Sequence, residues 1–498
     1  MTAPHTAGAT AAHPAYRAAV LAPLFAAARH HSAYYDRIDR AHLVALHDAG
    51  LLDDAAALLG AVATLDASLD LAARPDAGGV EDLFFLRENR LAEALGPDLA
   101  GRLHTGRSRN DIEATVFRMQ LRARLAEATT QAIELAATVL AVATREAGTI
   151  ILAYTHGQPA QPTTYGHYLC AYVEVLLRDL GRLARAMDDL DLCPLGAAAI
   201  TTTGFPIDRE RLASLLGFAA AQENAYGCIA AADQFAATYA ALRLMLLNIG
   251  RLVQDLAFWT GFEVGQAIAP DGFVQMSSIM PQKRNPLAIE HLRTMASLAA
   301  GQCEAVVATL HNTPFADMVD AEGPTQAAGL AAFDMAARVL PLLAALLDGL
   351  RIDQARARAN IDAACATMTE LCDSLVRLEG LAFRQAHEVC AHLSRHLLAG
   401  GRGMAGLDEA AIDAAFAIVV GRAPAVATAL LAAATQPEQS IAVRERLGGP
   451  GPSALGARLT RYAATLAGQR TALAARRSRW QAAEAALAAE VASRTVGR

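Results

Sequence analysis

Five stretches of this chain, at about 111–148, 163–190, 228–263, 287–311 and 325–351, read as helices far longer than the ~10–14 residues usual in globular proteins. Each carries apolar residues at helical spacing, and Pro341 is the only proline inside them. In the third, Phe235, Tyr239, Leu242, Leu246, Ile249 and Val253 form an apolar stripe, and charges are sparse on the other faces. A long helix buried on several sides needs neighbours on several sides. The pattern therefore predicts a helix bundle or an oligomer core, with partner subunits covering some of the helix faces. Aromatic residues are only 5% of the chain, too few for a large β-sandwich or barrel core.

At 498 residues the chain exceeds what one compact core serves, which predicts two or three domains. Boundaries fall at the composition shifts. An N-terminal helical domain covers 1–110 and includes the turn-prone Pro75–Gly79, the bundle covers 111–368, and a C-terminal helical domain covers 369–498. The last is broken by Gly400–Gly403 and Gly448–Pro452 before it ends in a helix rich in Ala and Arg. A net charge of −7 and the absence of a dense basic face argue against nucleic acid as a partner. The seven cysteines form no Cys-x-x-Cys pair and read as buried thiols of a cytoplasmic protein, with no metal site. Residues 1–15 show no secretory signal, and charges interrupt the Ala/Leu runs too often for a predicted membrane span.

Chemistry concentrates in the short polar segments between the helices. The first reads His104-Thr-Gly-Arg-Ser-Arg-Asn-Asp111 and runs into a helix, so free N–H groups, Arg107 and Arg109 stand ready for carboxylates. A capped loop with solvated arginines is the competing reading. The second, Tyr154-Thr-His-Gly-Gln-Pro-Ala-Gln-Pro162, offers a hydroxyl, an imidazole and two amides on a proline-fixed loop. His156 alone would pass for a structural histidine. The third, Asp271-Gly-Phe-Val-Gln-Met-Ser-Ser-Ile-Met-Pro-Gln-Lys-Arg-Asn-Pro286, puts two serines, two cations and an asparagine among apolar residues. That mixture suits a lid over an anionic ligand better than a solubilising loop.

Ser277–Pro286, SSIMPQKRNP, resembles the signature of the fumarase/aspartase superfamily in the form typical of argininosuccinate lyases. HTGRSRND and THGQPAQP resemble that family's other two regions, in the same order and spacing. The resemblance implies a three-domain all-α fold with a central long-helix bundle, assembled as a homotetramer, each active site drawing the three regions from three subunits. It implies a carbon–nitrogen lyase that releases fumarate and an amine from an N-substituted aspartate without metal or organic cofactor. Removing a proton beside a carboxylate needs a base and donors aimed at the charge that develops. The resemblance gives the base to Ser277, supported by Lys283, and the acid to His156, paired with Glu290. It gives substrate contacts to Arg107, Ser108, Asn110, Thr155, Gln161, Lys283 and Asn285.

The chain also departs from that pattern. The Phe-Asn-Ala-Ser stretch of argininosuccinate lyases corresponds here to Leu21–Leu24, and the first region continues Asp111-Ile112-Glu113 rather than Asp-Gln. On the amine side, an ungapped match puts Asp317, Glu322 and Thr325 in place of Tyr, Gln and Lys. Asn312–Glu322 and Cys193–Asp208 look more like ethylenediamine-disuccinate lyase and its relatives. The expectation is an aminocarboxylic acid substrate of that type, with argininosuccinate as the alternative. A reading of another class is an inert structural tetramer, as in the lens crystallins of the family. The presence of Ser277, Lys283, His156 and Glu290 speaks against it.

Overall fold

The computed structural model describes residues 12–53, 55–71, 74, 80–321 and 323–495. Pro75–Gly79 and Glu322 lie outside the described residues. Ser108 opens the first long helix, α1 (Arg109–Arg145), through a capping box in which the Ser108 N–H donates to Asp111 Oδ1 at 2.9 Å. A hairpin of β1 (Ile150–Thr155) and β2 (Gln158–Thr164) follows, and Thr164 caps α2 (Tyr165–Leu190) by accepting the His167 N–H at 3.0 Å. The remaining long helices are α3 (Asp233–Thr260), α4 (Leu287–Thr309), α5 (Gly323–Gly349) and the C-terminal α6 (Pro452–Thr495). The all-α expectation holds, and helix ends shift from the sequence reading by a few residues, as frayed ends do.

The five central helices close into a ring in which α1 packs along α2, α2 along α3, α3 along α4, α4 along α5, and α5 back along α1. Their shared core includes Leu125, Leu135, Val139, Leu176, Leu246, Ile249, Leu292 and Leu343, all nearly inaccessible. Close approach needs small residues at crossings. A Cβ on Gly329 would lie 2.1 Å from the Tyr239 ring. The α3 stripe expected from sequence is buried throughout, but Leu244 and Leu247 of α3 and Leu298 of α4 stay 37, 46 and 55% exposed on an outer face. By length and composition, α1, α3 and the helix ending at Gly349 could each cross a membrane. The expectation that charges rule this out is therefore corrected: each helix has an apolar 18-residue window that holds at most two charged residues. Half or so of each window is buried against the other helices.

The N-terminal core, with Phe25, Ile38, Leu43 and Leu58, takes in Ile112, Val116 and Met119 from the first turns of α1, so the two share a seam. Arg122 of α1 lies between Phe218 (4.2 Å) and Trp480 (5.0 Å) and donates to the Leu216 carbonyl at 2.7 Å. A separate C-terminal core spans Cys365–Leu431. Helix α6, grouped with that domain in the sequence reading, instead returns to pack on α1 and α2. Its apolar positions Leu466 and Leu473 belong to the bundle core.

Candidate active site

The first polar segment sits at the N-terminus of α1. Asp111 is fully buried there and ties two loops together. Its Oδ1 takes the Ser108 N–H, and its Oδ2 takes those of Gly196 (2.8 Å) and Ala198 (3.0 Å). Burial pushes its carboxyl up to about 6, opposed by those three N–H groups. The Asn110 amide donates to the Ala199 carbonyl at 3.3 Å, and the Ser108 hydroxyl reaches Asn110 Oδ1 at 3.4 Å. Both side chains stay partly accessible. Arg107 does not. It is buried, and its guanidinium donates to Asp39 at 2.7 Å, in a pair that also takes Arg87 at 3.2 Å. The expected carboxylate contact from Arg107 is therefore corrected to a structural ion pair: a cation buried here needs its partner inside the same core.

The second segment is the β1–β2 hairpin. Thr155 pairs with Gln158, so His156 and Gly157 form a two-residue turn, with φ of +54° and +72°. Thr155, His156, Gln158 and Gln161 are exposed on its tip. The base of the hairpin is fixed by Leu152, whose N–H and carbonyl are both held by the Gln266 amide (3.1 and 3.2 Å). A rigid base with an exposed tip presents the imidazole outward.

The third segment folds as a small flap, with β3 (Gln275–Met276) paired to β4 (Arg284–Asn285). At its turn the Ser277 Oγ accepts two backbone N–H groups, from Ile279 (3.3 Å) and Met280 (3.0 Å). Lys283 closes the turn by donating its N–H to the Met280 carbonyl at 3.0 Å. An oxygen fed by two amide dipoles, with an ammonium on the same turn, is placed to carry negative charge. Lys283 is also the only lysine in the sequence, every other one of its 43 Lys and Arg residues being arginine. Asn285 is half-buried, and Glu290 is exposed on the first turn of α4. Among the described residues no hydrogen bond or ion pair joins His156 to Glu290, or either to Ser277.

These segments lie at opposite ends of one bundle. Helix α1 has 37 residues, so about 54 Å separates Asn110 from the start of the hairpin. The Tyr154 ring meets Phe258 near the end of α3 (5.0 Å), which puts the flap that follows α3 at the hairpin end. A small substrate cannot touch both ends of one chain.

Beside Asn110 a narrow crevice runs between the first turns of α1 (Glu113, Ala114, Phe117) and the 313–321 segment, and Asp317 lines it. Burial raises the Asp317 carboxyl, with Arg109 opposing. Thr325 is buried within α5. A second cavity adjoins the first, and Leu21 and Leu24 are among its walls.

Residues 81–301 match the lyase family model, and residues 365–442 match the argininosuccinate lyase C-terminal model. The chain is 48% identical to argininosuccinate lyase 2 of Agrobacterium fabrum over 480 residues, 96% of this chain and 95% of that one. It belongs to the argininosuccinate lyase family. It is accordingly a carbon–nitrogen lyase of the fumarase/aspartase superfamily. The argininosuccinate lyase of Methanoculleus marisnigri is 36% identical over 85% of each chain. Among solved structures, EDDS lyase in complex with formate superposes with a TM-score of 0.86 at 28% identity, over 98% of this chain and 96% of that one. A variant of EDDS lyase with bound fumarate gives the same score and identity. A class II fumarase from Schistosoma mansoni, 15% identical with a TM-score of 0.66 over 82% of this chain and 90% of that one, shares the fold.

Proposed function

We propose that this lyase splits an N-substituted aspartate into fumarate and an amine, with Ser277 as the base. The observation that carries the proposal is the pair of N–H groups on the Ser277 Oγ. Two hydrogen bonds to a charged oxygen stabilise an alkoxide by about 3–6 kcal/mol together, and Lys283 adds charge beside them. That alkoxide takes the proton from the carbon next to the substrate's side-chain carboxylate. The electron pair passes into an aci-carboxylate, held by Lys283 and Asn285, and then forms the double bond as the carbon–nitrogen bond breaks. His156, oriented by Glu290 of another subunit, protonates the departing nitrogen, and Ser108, Asn110, Thr155 and Gln161 hold the carboxylates. The sites form in a homotetramer, whose association would cover the outer face of Leu244, Leu247 and Leu298. Seven unpaired, buried cysteines suit the reducing cytoplasm.

For the amine half, Asp317 beside Asn110 favours a second ammonium close to the scissile nitrogen, which ethylenediamine-disuccinate carries across its ethylene bridge. The substrate is then an aminocarboxylic acid of the ethylenediamine-disuccinate type. A second reading, argininosuccinate itself, is favoured by the 48% identity to argininosuccinate lyase 2. Fumarate absorbance, followed with argininosuccinate, ethylenediamine-disuccinate and smaller adducts, separates them. A kcat/KM at least as high on ethylenediamine-disuccinate supports the first reading. A preference for argininosuccinate by roughly a hundredfold, about 2.7 kcal/mol of discrimination, restores the second.

A further inference from the structure

The hairpin that carries His156 is poor in ladder donors. Pro159 and Pro162 of β2 have no N–H to give, and the pairing register slips between Leu152 and Tyr154. Its tip nevertheless holds a strained backbone. His156 sits at φ +54°, a left-handed conformation that a residue with a Cβ keeps only where its surroundings fix it. Leu152 is the last paired residue before the slip; it stands opposite Pro162 and is wholly buried. Ile150, Ile361, Ala366 and Ile441 cluster with it and offer its backbone only hydrocarbon. A buried N–H and carbonyl need partners, and one distant side chain supplies both. Gln266, equally inaccessible, accepts the Leu152 N–H at 3.1 Å and donates to its carbonyl at 3.2 Å, as a neighbouring strand would. Gln266 is itself anchored. Its carbonyl accepts the Asp353 N–H at 3.0 Å, and Ala267 and Ile268 pair with Ile352 and Arg351. Just before it, the Val264 carbonyl accepts from Arg356 Nε (3.2 Å) and from the Asn360 amide (2.7 Å).

We infer that Gln266 is a positioning residue for His156: its buried amide completes the hairpin where the prolines leave the ladder short, and so aims the imidazole at the departing nitrogen. The inference rests on the proposed reading of His156 as the group that protonates that nitrogen. The tip beyond the slip keeps only the pairings of Tyr154 with Pro159 and Thr155 with Gln158. Its direction is therefore set by where Leu152 is held, and Gln266 is what holds it. Proton transfer demands alignment that binding does not, so loss of the amide acts on turnover before it acts on affinity.

The test is a double-mutant cycle on the assembled enzyme, with fumarate release from whichever of the two substrates above it turns over faster. Gln266→Leu fills the same space without either hydrogen bond. It should lower kcat about thirtyfold, within the roughly hundredfold that a displacement of about 1 Å can cost, and leave KM within about twofold. In the His156→Ala background it should cost no more than about twofold further, because the group it positions is gone. Gln266→Glu covers the case in which the leucine variant does not fold. A carboxylic acid presents an O–H and a carbonyl as the amide presents its N–H and carbonyl, and a carboxylate presents no donor. Burial raises such a carboxyl, so kcat of Gln266→Glu relative to wild type should climb towards one as the pH falls, with no such climb in the His156→Ala background. Full activity of Gln266→Leu, the same fractional loss with and without His156, or a pH-independent ratio for Gln266→Glu overturns the inference and leaves His156 as the acid. Full activity of His156→Ala refutes the acid itself, and the inference falls with it.

Discussion

Asn110 and His156 cannot serve the same site from the same chain if α1 is a continuous helix, and subunit mixing tests that directly. With about 54 Å between the two ends of α1, a substrate on the order of 10 Å long reaches only one of them per chain. Asn110→Ala removes an amide with two long hydrogen bonds, to the Ala199 carbonyl (3.3 Å) and from the Ser108 hydroxyl (3.4 Å), and His156→Ala removes an exposed turn residue, so both variants should fold. Each homotetramer should fall to roughly a hundredth of wild-type activity or less, the loss expected for a missing proton donor or carboxylate contact. In tetramers reassembled from equal amounts, each site draws its α1 terminus from one chain and its hairpin from another. Each contribution is intact about half the time, so roughly a quarter of the sites are wild type. Dissociation in mild denaturant, reassembly, native mass spectrometry to count mixed species, and fumarate absorbance give the readout. Activity near a quarter of wild type supports composite sites. Mixed tetramers that stay as inactive as their parents refute the reasoning, as does a fully active monomer.

Ser277→Ala should lower kcat at least about a hundredfold while leaving the melting temperature nearly unchanged, because the flap is exposed; retention of a tenth of the rate would move the base elsewhere. Lys283→Arg should lose more than about tenfold in kcat/KM, since a planar guanidinium cannot take the place of a compact ammonium on the flap turn; a fully active variant refutes that requirement. Asp111→Asn should cost about 3–5 kcal/mol in denaturant unfolding, because its amide would face the Gly196 and Ala198 N–H groups as a second donor; a change under about 1 kcal/mol contradicts the triple acceptor role. The His31 pKa lies well below its unfolded value, so its contribution is complete above pH ~6.5 and is lost as the pH falls towards 4. His31→Phe should flatten the loss of stability across that window, by about 3 kcal/mol at its lower end, and an unchanged slope would assign the acid sensitivity to other groups.

Much of the fold was legible in the sequence because the long helices are written in a 3.6-residue period that tertiary contacts reinforce. The α3 stripe from Phe235 to Val253 is buried as its spacing requires. The return of α6 to the bundle was not legible. Its Leu466 and Leu473 are separated by Arg470, in a stretch that reads as a solvated face until Arg476 and Arg479 are seen paired with Asp191. Arg107 was misread for a related reason. A guanidinium in a loop looks solvated in one dimension, and only the buried Asp39, far away in sequence, turns it inward. The two N–H groups on Ser277 were invisible, since backbone direction at a turn is not encoded by residue type alone. Lys283 carried an overlooked signal: a chain that meets every other need for a basic residue with arginine keeps one lysine, and keeps it on the flap turn.

The proposed assignment divides the substrate between two kinds of structure. The fumarate half is held by groups from both ends of the bundle, so its geometry depends on α1 length, on the ring of helices and on association, none of which one substitution can adjust. The amine half, in the proposed reading, meets the first turns of α1 and the 313–321 segment, at one end of one chain, and the N-terminal segment walls the cavity next to them. Changes there, such as a carboxylate at Asp317 or hydrocarbon at Leu21 and Leu24, alter a wall without moving the flap or the hairpin. Selection can therefore retune which amine leaves while the proton abstraction stays fixed. The same division accounts for the pattern in the sequence itself: the flap and hairpin motifs keep the family form, and the departures fall after Asp111 on α1, at Leu21–Leu24 and in the 313–321 segment, around the crevice and the cavity beside it.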